Sequence, residues 1–142
     1  MKRVCALVGP TAFSAVMKRR RAGGSSHFDL FVLAASDRLV IESDTAVPPD
    51  WRLGCVIGRK AVRRAVDRNL ARRIVREALR AAIDRGLKPG DYVFRARREL
   101  GPDSVKARKG PDRASFRRAM REEVDQLLVR HCRVSAPAAV AG

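Results

Sequence analysis

The chain has 142 residues, 46% of them apolar, and carries 31 Lys and Arg against 15 Asp and Glu, a formal net charge of +16. This length suits one ordinary domain with a real core, and the apolar share excludes a chain disordered by composition. The charge points to an anionic partner, and nucleic acid leads because the excess is mainly arginine, whose planar fork fits phosphate and whose face stacks on bases.

Taken in order, MKRVCALVGP holds a basic pair and an apolar run that ends at Pro10, too short for the hydrophobic segment of a signal peptide. Nowhere does the chain reach the roughly 18 consecutive apolar residues of a membrane span. Thr11 is the expected cap of a first helix from Ala12 to about Arg19. Phe13 and Met17, four apart, share a face, with Val16 beside them. Core packing is the first reading of that face; a ring offered to a base is the second. Lys18 to Arg21 is a basic run, and Ala22 to Ser26 a flexible turn.

His27 to Ser36 reads as a strand, with Phe28, Leu30, Val32 and Ala34 on one face and Phe31 and Leu33 on the other. His27 is expected to be a surface residue at the strand start. A short edge strand is expected at Leu39 to Ile41. Glu42 to Asp50, acidic and containing Pro48-Pro49, is a loop lying away from any polyanion. Trp51 to Gly58 is a second strand, whose glycines allow close approach of backbone.

The next stretch, GRKAVRRAVDRNLARRIVREALR from Gly58 to Arg80, organises the chain. A tight loop over Arg59 to Arg64 leads into a long helix ending near Arg85, with Gly86 as its stop. Ala71, Val75, Ala78 and Ala82 form one side, flanked by Ile74 and Leu79. Asn69, Arg72, Arg73, Arg76 and Arg80 occupy the other. Like charges at helical spacing repel, and a polyanion relieves that repulsion. The alanines argue against a membrane-lying helix, which needs bulky anchors.

Lys88 to Asp91 is a turn and Tyr92 to Ala96 a third strand, with Arg95, Arg97 and Arg98 extending the positive surface. Glu99 to Asp112 is a basic, aperiodic loop. Asp112 is the expected cap of a last helix whose face is Phe116, Ala119, Met120, Val124, Leu127 and Leu128. Its acids and bases balance, which suggests packing rather than nucleic-acid contact. Arg133 to Gly142 reads as a frayed tail.

These elements make an α+β domain over residues 1–132, one sheet with helices on one face. Its strand–helix–strand unit would ordinarily cross right-handed. Cys5, Cys55 and Cys132 are too scattered for a disulfide framework and suggest a reducing, cytoplasmic setting. No metal-ligand spacing is present, so no metal site is assigned to the protein. Phosphodiester cleavage by protein alone needs clustered carboxylates or an acid–base pair. Asp67, Glu77 and Asp84 form no such pair, and neither histidine has an evident partner in sequence.

The basic stretch resembles the signature of the bacterial ribonuclease P protein subunit. The matching pattern is a hydrophobic strand (Leu53 to Ile57), Arg59-Lys60, the run Ala61 to Ala65, Arg68-Asn69, Arg72-Arg73 and Arg76-Glu77. Leu70 stands where the family typically has a further arginine. Met17 stands where it often has a second aromatic, and the loop Glu99 to Asp112 looks longer than typical. The resemblance implies a fold like the second domain of a small-subunit ribosomal protein, with a left-handed strand–helix–strand crossover. It implies a subunit of a ribonucleoprotein endoribonuclease that removes the 5′ leader of precursor tRNA. The active site and its magnesium would lie on the RNA subunit. The partners implied are that catalytic RNA and precursor tRNA, with no membrane and no obligate protein partner.

On this reading Arg59, Lys60, Arg63, Arg64, Arg68, Asn69, Arg72, Arg73 and Arg76 are the RNA-binding set. Arg64 and Arg68 lie toward the apolar edge of the helical wheel and either contact RNA or brace protein; Asn69 has the same two options. The leader-binding set is Phe13, Met17, Lys18 and Arg19 with Phe31 or Phe28, according to which strand face is exposed. A general structured-RNA-binding or ribosomal protein would explain the charge but not the Arg-Asn pattern. A DNA-binding protein would need a recognition helix or dimer face, and neither is evident.

Overall fold

Apolar residues on both parities of a strand require cover on both sides of the sheet, and this governs the architecture. The computed structural model describes residues 4–37, 50–97 and 113–135. Its elements are β1 (Val4–Ala6), α1 (Pro10–Met17), β2 (Gly23–Gly24), β3 (Phe28–Ala34), a 3₁₀ turn (Ala35–Asp37), β4 (Trp51–Val56), α2 (Ala65–Asp84), β5 (Gly90–Ala96) and α3 (Arg113–Ser135). The five strands form one sheet in the order β1-β4-β5-β3-β2. β4 runs parallel to β1 and β5; β3 runs antiparallel to β5 and β2.

The sheet is covered on both faces, not on one as the element order suggested. Phe28, Leu30, Trp51, Leu53, Tyr92 and Phe94 pack with the apolar sides of α2 and α3 in the main core. Phe31, Leu33 and Val93, of opposite parity, pack with Leu7 and Val16 and carry α1. Trp51 Nε1 and Tyr92 Oη both donate to the Lys88 carbonyl, at 3.1 and 2.6 Å, tying the start of β4 to the turn before β5.

The long helix buries Leu70, Ala71, Ile74, Val75, Ala78, Leu79, Ala82 and Ile83, the side its periodicity predicts. Gly86 ends it at φ 106°, where a side chain would be strained. The Leu87 and Gly86 amides donate to the Ala82 and Ile83 carbonyls, a Schellman closure. At the other end Asp67 is buried in the first turn, a favourable place for an acid.

Some boundaries differ from expectation. α1 starts at Pro10 with Gly9, not Thr11, in the capping position. α3 continues to Ser135, into the stretch read as a frayed tail. Ala119, placed on its apolar face by spacing, is exposed. β1 is absent from the sequence reading. The expected strand at Leu39 to Ile41, the acidic loop up to residue 49, the basic loop from residue 99, Arg98 and the Asp112 cap lie outside the described residues.

His27 does have a partner, and so does His131. Glu123 of α3 accepts from Ser25 Oγ and from the His27 amide at 2.7 Å, and lies 2.8 Å from His27 Nδ1. The His131 ring meets Tyr92 edge-on at 5.8 Å. Burial works to raise the Glu123 pKa, but the hydrogen bonds from Ser25 and His27 outweigh it, so this carboxyl ionises below its ordinary value of 4.5. A folded-state value below the unfolded one gives stability that is present above pH 4.5 and lost as pH falls through the folded value. Glu123→Ala should therefore cost about 1–3 kcal/mol at neutral pH. The melting-temperature gap to wild type should narrow as acid is added below pH 4.5; a gap independent of pH would count against this latch.

Candidate nucleic-acid interface

The basic pairs and apolar pairs of the Gly58–Arg80 stretch separate physically. Ala61 and Val62 are buried in the main core, and their amides donate to the Gly58 carbonyl at 3.1 and 3.0 Å. That anchors a tight loop from which Arg59, Lys60, Arg63 and Arg64 extend, all exposed. Arg68 turns back and donates from Nη1 to the Val62 and Arg63 carbonyls at 3.0 and 2.9 Å. Through Nη1 Arg68 braces the loop. Asn69 is exposed and accepts from Arg72 Nη1 at 3.3 Å, so it orients an arginine rather than the loop. Arg73 and Arg76 are exposed on the same helix.

Arg72 and Arg76 line a cleft at the β1 edge of the sheet. β1 pairs with β4 only as far as Leu53, whereas β4 runs on to Val56. The cleft, of about 400 Å³, is lined by β1, Leu7, Phe13, Leu53, Gly54, Cys55 and the row Arg72, Arg76, Arg80. Phe13 lies against Gly54: a Cβ there would come within 2.5 Å of the ring. Burial pushes the Cys55 thiol up to about 11, against the opposing pull of Arg72 and Arg76. The cleft thus pairs an aromatic ring and apolar walls with a one-sided row of guanidinium groups.

The remaining leader candidates divide by strand parity. Phe28 is fully buried in the α2–α3 core, edge-on to Phe94 at 6.3 Å, and has no surface to offer a base. Phe31 lies on the α1 side, but is itself buried beneath Arg95, whose guanidinium sits 5.0 Å from the ring centre. A ligand there meets the arginine, not the phenyl face. Met17 is half-buried at the end of α1, Lys18 is exposed, and Arg19 pairs with Asp37 at 3.6 Å.

Arg80, Arg21, Arg95 and Arg97 stand outside the RNA-binding and leader-binding sets named from sequence. Arg80 continues the four-residue spacing of Arg72 and Arg76, a signal the sequence does hold. Arg21, Arg95 and Arg97 converge on buried Asp29 from 8, 66 and 68 residues away, a grouping no local pattern reveals. Burial alone would raise the Asp29 pKa; hydrogen bonds from Arg97, Arg95 and Arg21 instead hold it well below the usual carboxylate range. Asp91 is likewise gripped by Arg52, at 2.8 and 2.7 Å. These carboxylates are engaged by cations, and among the described residues no group of three or more His, Cys, Asp or Glu could hold a metal ion.

A family model described as Ribonuclease P matches residues 1–110. The Ribonuclease P protein component of Ralstonia pickettii (strain 12J) is 37% identical over 117 residues, covering 82% of this chain and 71% of that protein. The chain belongs to the bacterial ribonuclease P protein family. Membership makes it a protein component of ribonuclease P, places it in tRNA processing and implies association with the ribonuclease P RNA. Its fold is also that of a ribonuclease P protein. The Staphylococcus aureus RNase P protein superposes with a TM-score of 0.62 at 16% identity, over 90% of this chain and 95% of that one.

Within the ribonuclease P signature, the departure at Leu70 has a structural meaning. Leu70 is 9% exposed and packs in the main core. The position serves packing here, while the cations at Arg72, Arg73 and Arg76 stay outside.

Proposed function

We propose that this ribonuclease P protein binds the catalytic RNA through the loop Arg59 to Arg64 and the basic side of α2. On the same proposal it holds the single-stranded 5′ leader of precursor tRNA against Phe13 and the α1 side of the sheet. Leader removal is then the work of the RNA subunit and its magnesium, in a cytoplasmic setting. The observation that carries this reading is the cleft in which Phe13 faces Arg72, Arg76 and Arg80. A ring stacks on any base and guanidinium groups take the flanking phosphates, so the cleft suits single-stranded RNA without demanding a sequence. The carboxylates gripped by arginine, with no metal-holding cluster among the described residues, do not fit a protein-borne magnesium site, and no step is assigned to one.

The protein's contribution is charge neutralisation and substrate holding. Cations between two RNAs lower their mutual repulsion and with it the magnesium needed to bring them together. Cleavage of precursor tRNA at low magnesium by the cognate RNA subunit should be strongly stimulated by adding the protein. Absence of stimulation from folded protein that still binds the RNA would favour a general RNA-binding role.

A further inference from the structure

The segment between β4 and α2 carries the exposed cations Arg59, Lys60, Arg63 and Arg64. Like charges this close repel, so the segment has to be held from below. Ile57, Ala61 and Val62 are buried in the main core and peg it to the body of the protein. The Gly58 carbonyl accepts from the Ala61 and Val62 amides and closes the turn that carries Arg59 and Lys60. Arg63 and Arg64 lie past the last peg, between Val62 and the first residue of α2.

Arg68 holds that remaining piece. From the first turn of α2 its Nη1 reaches back six and five residues and donates to the Val62 and Arg63 carbonyls at 3.0 and 2.9 Å. Its backbone amide donates to the Arg64 carbonyl at 3.0 Å. One residue thus gathers three consecutive carbonyls of the loop. Their negative ends turn toward α2, and the exposed side chains of Arg63 and Arg64 meet an approaching phosphate without them. Arg68 itself is half-buried. To grip a phosphate with Nη1 it would have to leave both side-chain partners, one of them the carbonyl of Val62, a residue 1% exposed. Stripping a buried acceptor of its donor is costly.

We propose that Arg68 is a positioning residue for RNA binding: it holds Arg63 and Arg64 in their binding geometry before the RNA arrives and makes no phosphate contact of its own. The proposal rests on the reading of this loop as an RNA contact and deepens it. A loop ordered in advance need not be ordered by the RNA, so the gain in affinity comes from the free protein. Loss of the brace lowers the binding-competent fraction and raises the apparent Kd in proportion. The bound complex keeps the same phosphate contacts.

The test measures affinity of the full chain for the ribonuclease P RNA across a salt series, for wild type and Arg68→Met. Methionine keeps good helix propensity and removes the guanidinium donors. Positioning predicts binding about tenfold weaker at every salt concentration, the worth of one ordinary charge-assisted hydrogen bond, with the wild-type salt slope retained. It also predicts faster hydrogen exchange at the Ala61 and Val62 amides of the free protein. A phosphate contact predicts a slope flatter by about 0.7 to 0.9, and that result overturns the proposal. In an Arg63→Ala/Arg64→Ala background Arg68→Met should cost nothing further, because the cations it holds are gone; additive losses overturn the proposal. Arg68→Lys covers the case in which Arg68→Met does not fold. It keeps the charge, but its nitrogen ends one bond short of the position of Nη1, so most of the same affinity should be lost. Wild-type affinity in either folded variant overturns the positioning role alone. Wild-type affinity in Arg63→Ala/Arg64→Ala overturns the RNA reading of these two cations and the positioning role with it.

Discussion

Replacing Arg72 and Arg76 together by alanine should weaken binding of the ribonuclease P RNA by roughly 3 kcal/mol, two charge-assisted hydrogen bonds at about 1.5 kcal/mol each. Both residues lie on the side of α2 away from Ala71, Ile74, Val75 and Ala78, the basic side proposed to meet that RNA. Alanine is the best helix former, so the helix itself loses nothing. Stability should hold, because the buried side of α2 is untouched. A second readout separates phosphate contact from general damage. Each neutralised phosphate releases condensed counterions, so log affinity falls with log salt by about 0.9 per contact on duplex and about 0.7 on single strands. Removing two contacts should flatten the slope by between about 1.4 and 1.8. A double variant with the wild-type slope would remove Arg72 and Arg76 from the RNA interface, whatever the change in affinity at one salt concentration.

The basic helix was legible because two local signals coincide in it. Small apolar residues recur at three and four, and arginines fill the complementary positions, so burial and charge point to opposite sides. The Schellman stop at Gly86 is legible for the same reason: only residues close in sequence take part. β1 is not legible in this way. Its three residues, Val4–Ala6, carry too short a pattern, and their strand geometry comes from parallel pairing with Trp51 to Leu53, far along the chain. The cleft depends on that pairing, because β1 forms one of its walls.

The leader side was legible in composition but not in placement. Both parities of β3 are apolar, so the sequence could not say whether Phe28 or Phe31 faces α1. The answer lies in packing: Phe28 joins Phe94 under α2 and α3, and Phe31 joins Val16 and Val93. The Asp29 cluster and the Glu123 latch escaped for a different reason. Asp29 meets Arg95 and Arg97 across 66 and 68 residues, and Ser25 and His27, between β2 and β3, meet Glu123 across 98 and 96; a side chain's neighbours at that separation are set only by the finished sheet. Leu70 shows the converse. By motif it is a missing cation; by position it is a buried residue of α2.

Gly54→Ala should abolish most of the preference for precursor over mature tRNA while scarcely changing the melting temperature. The added Cβ would meet Phe13 Cε1 and Cζ at 2.5 and 2.6 Å, and Leu7 Cδ2 at 3.3 Å. The atoms struck first are the far end of a ring on a half-buried side chain, so the ring moves and the sheet does not. Alanine also has less unfolded-state freedom than glycine, which offsets part of the lost packing. A displaced Phe13 no longer presents its face in the cleft, and a stacked base is worth roughly 1–3 kcal/mol. Phe13→Ala should produce the same loss, and the double variant no more than either alone, because both act through one ring. Losses that add would place Gly54 and Phe13 in separate roles. Full leader preference in Gly54→Ala would mean that the base rests elsewhere on the sheet.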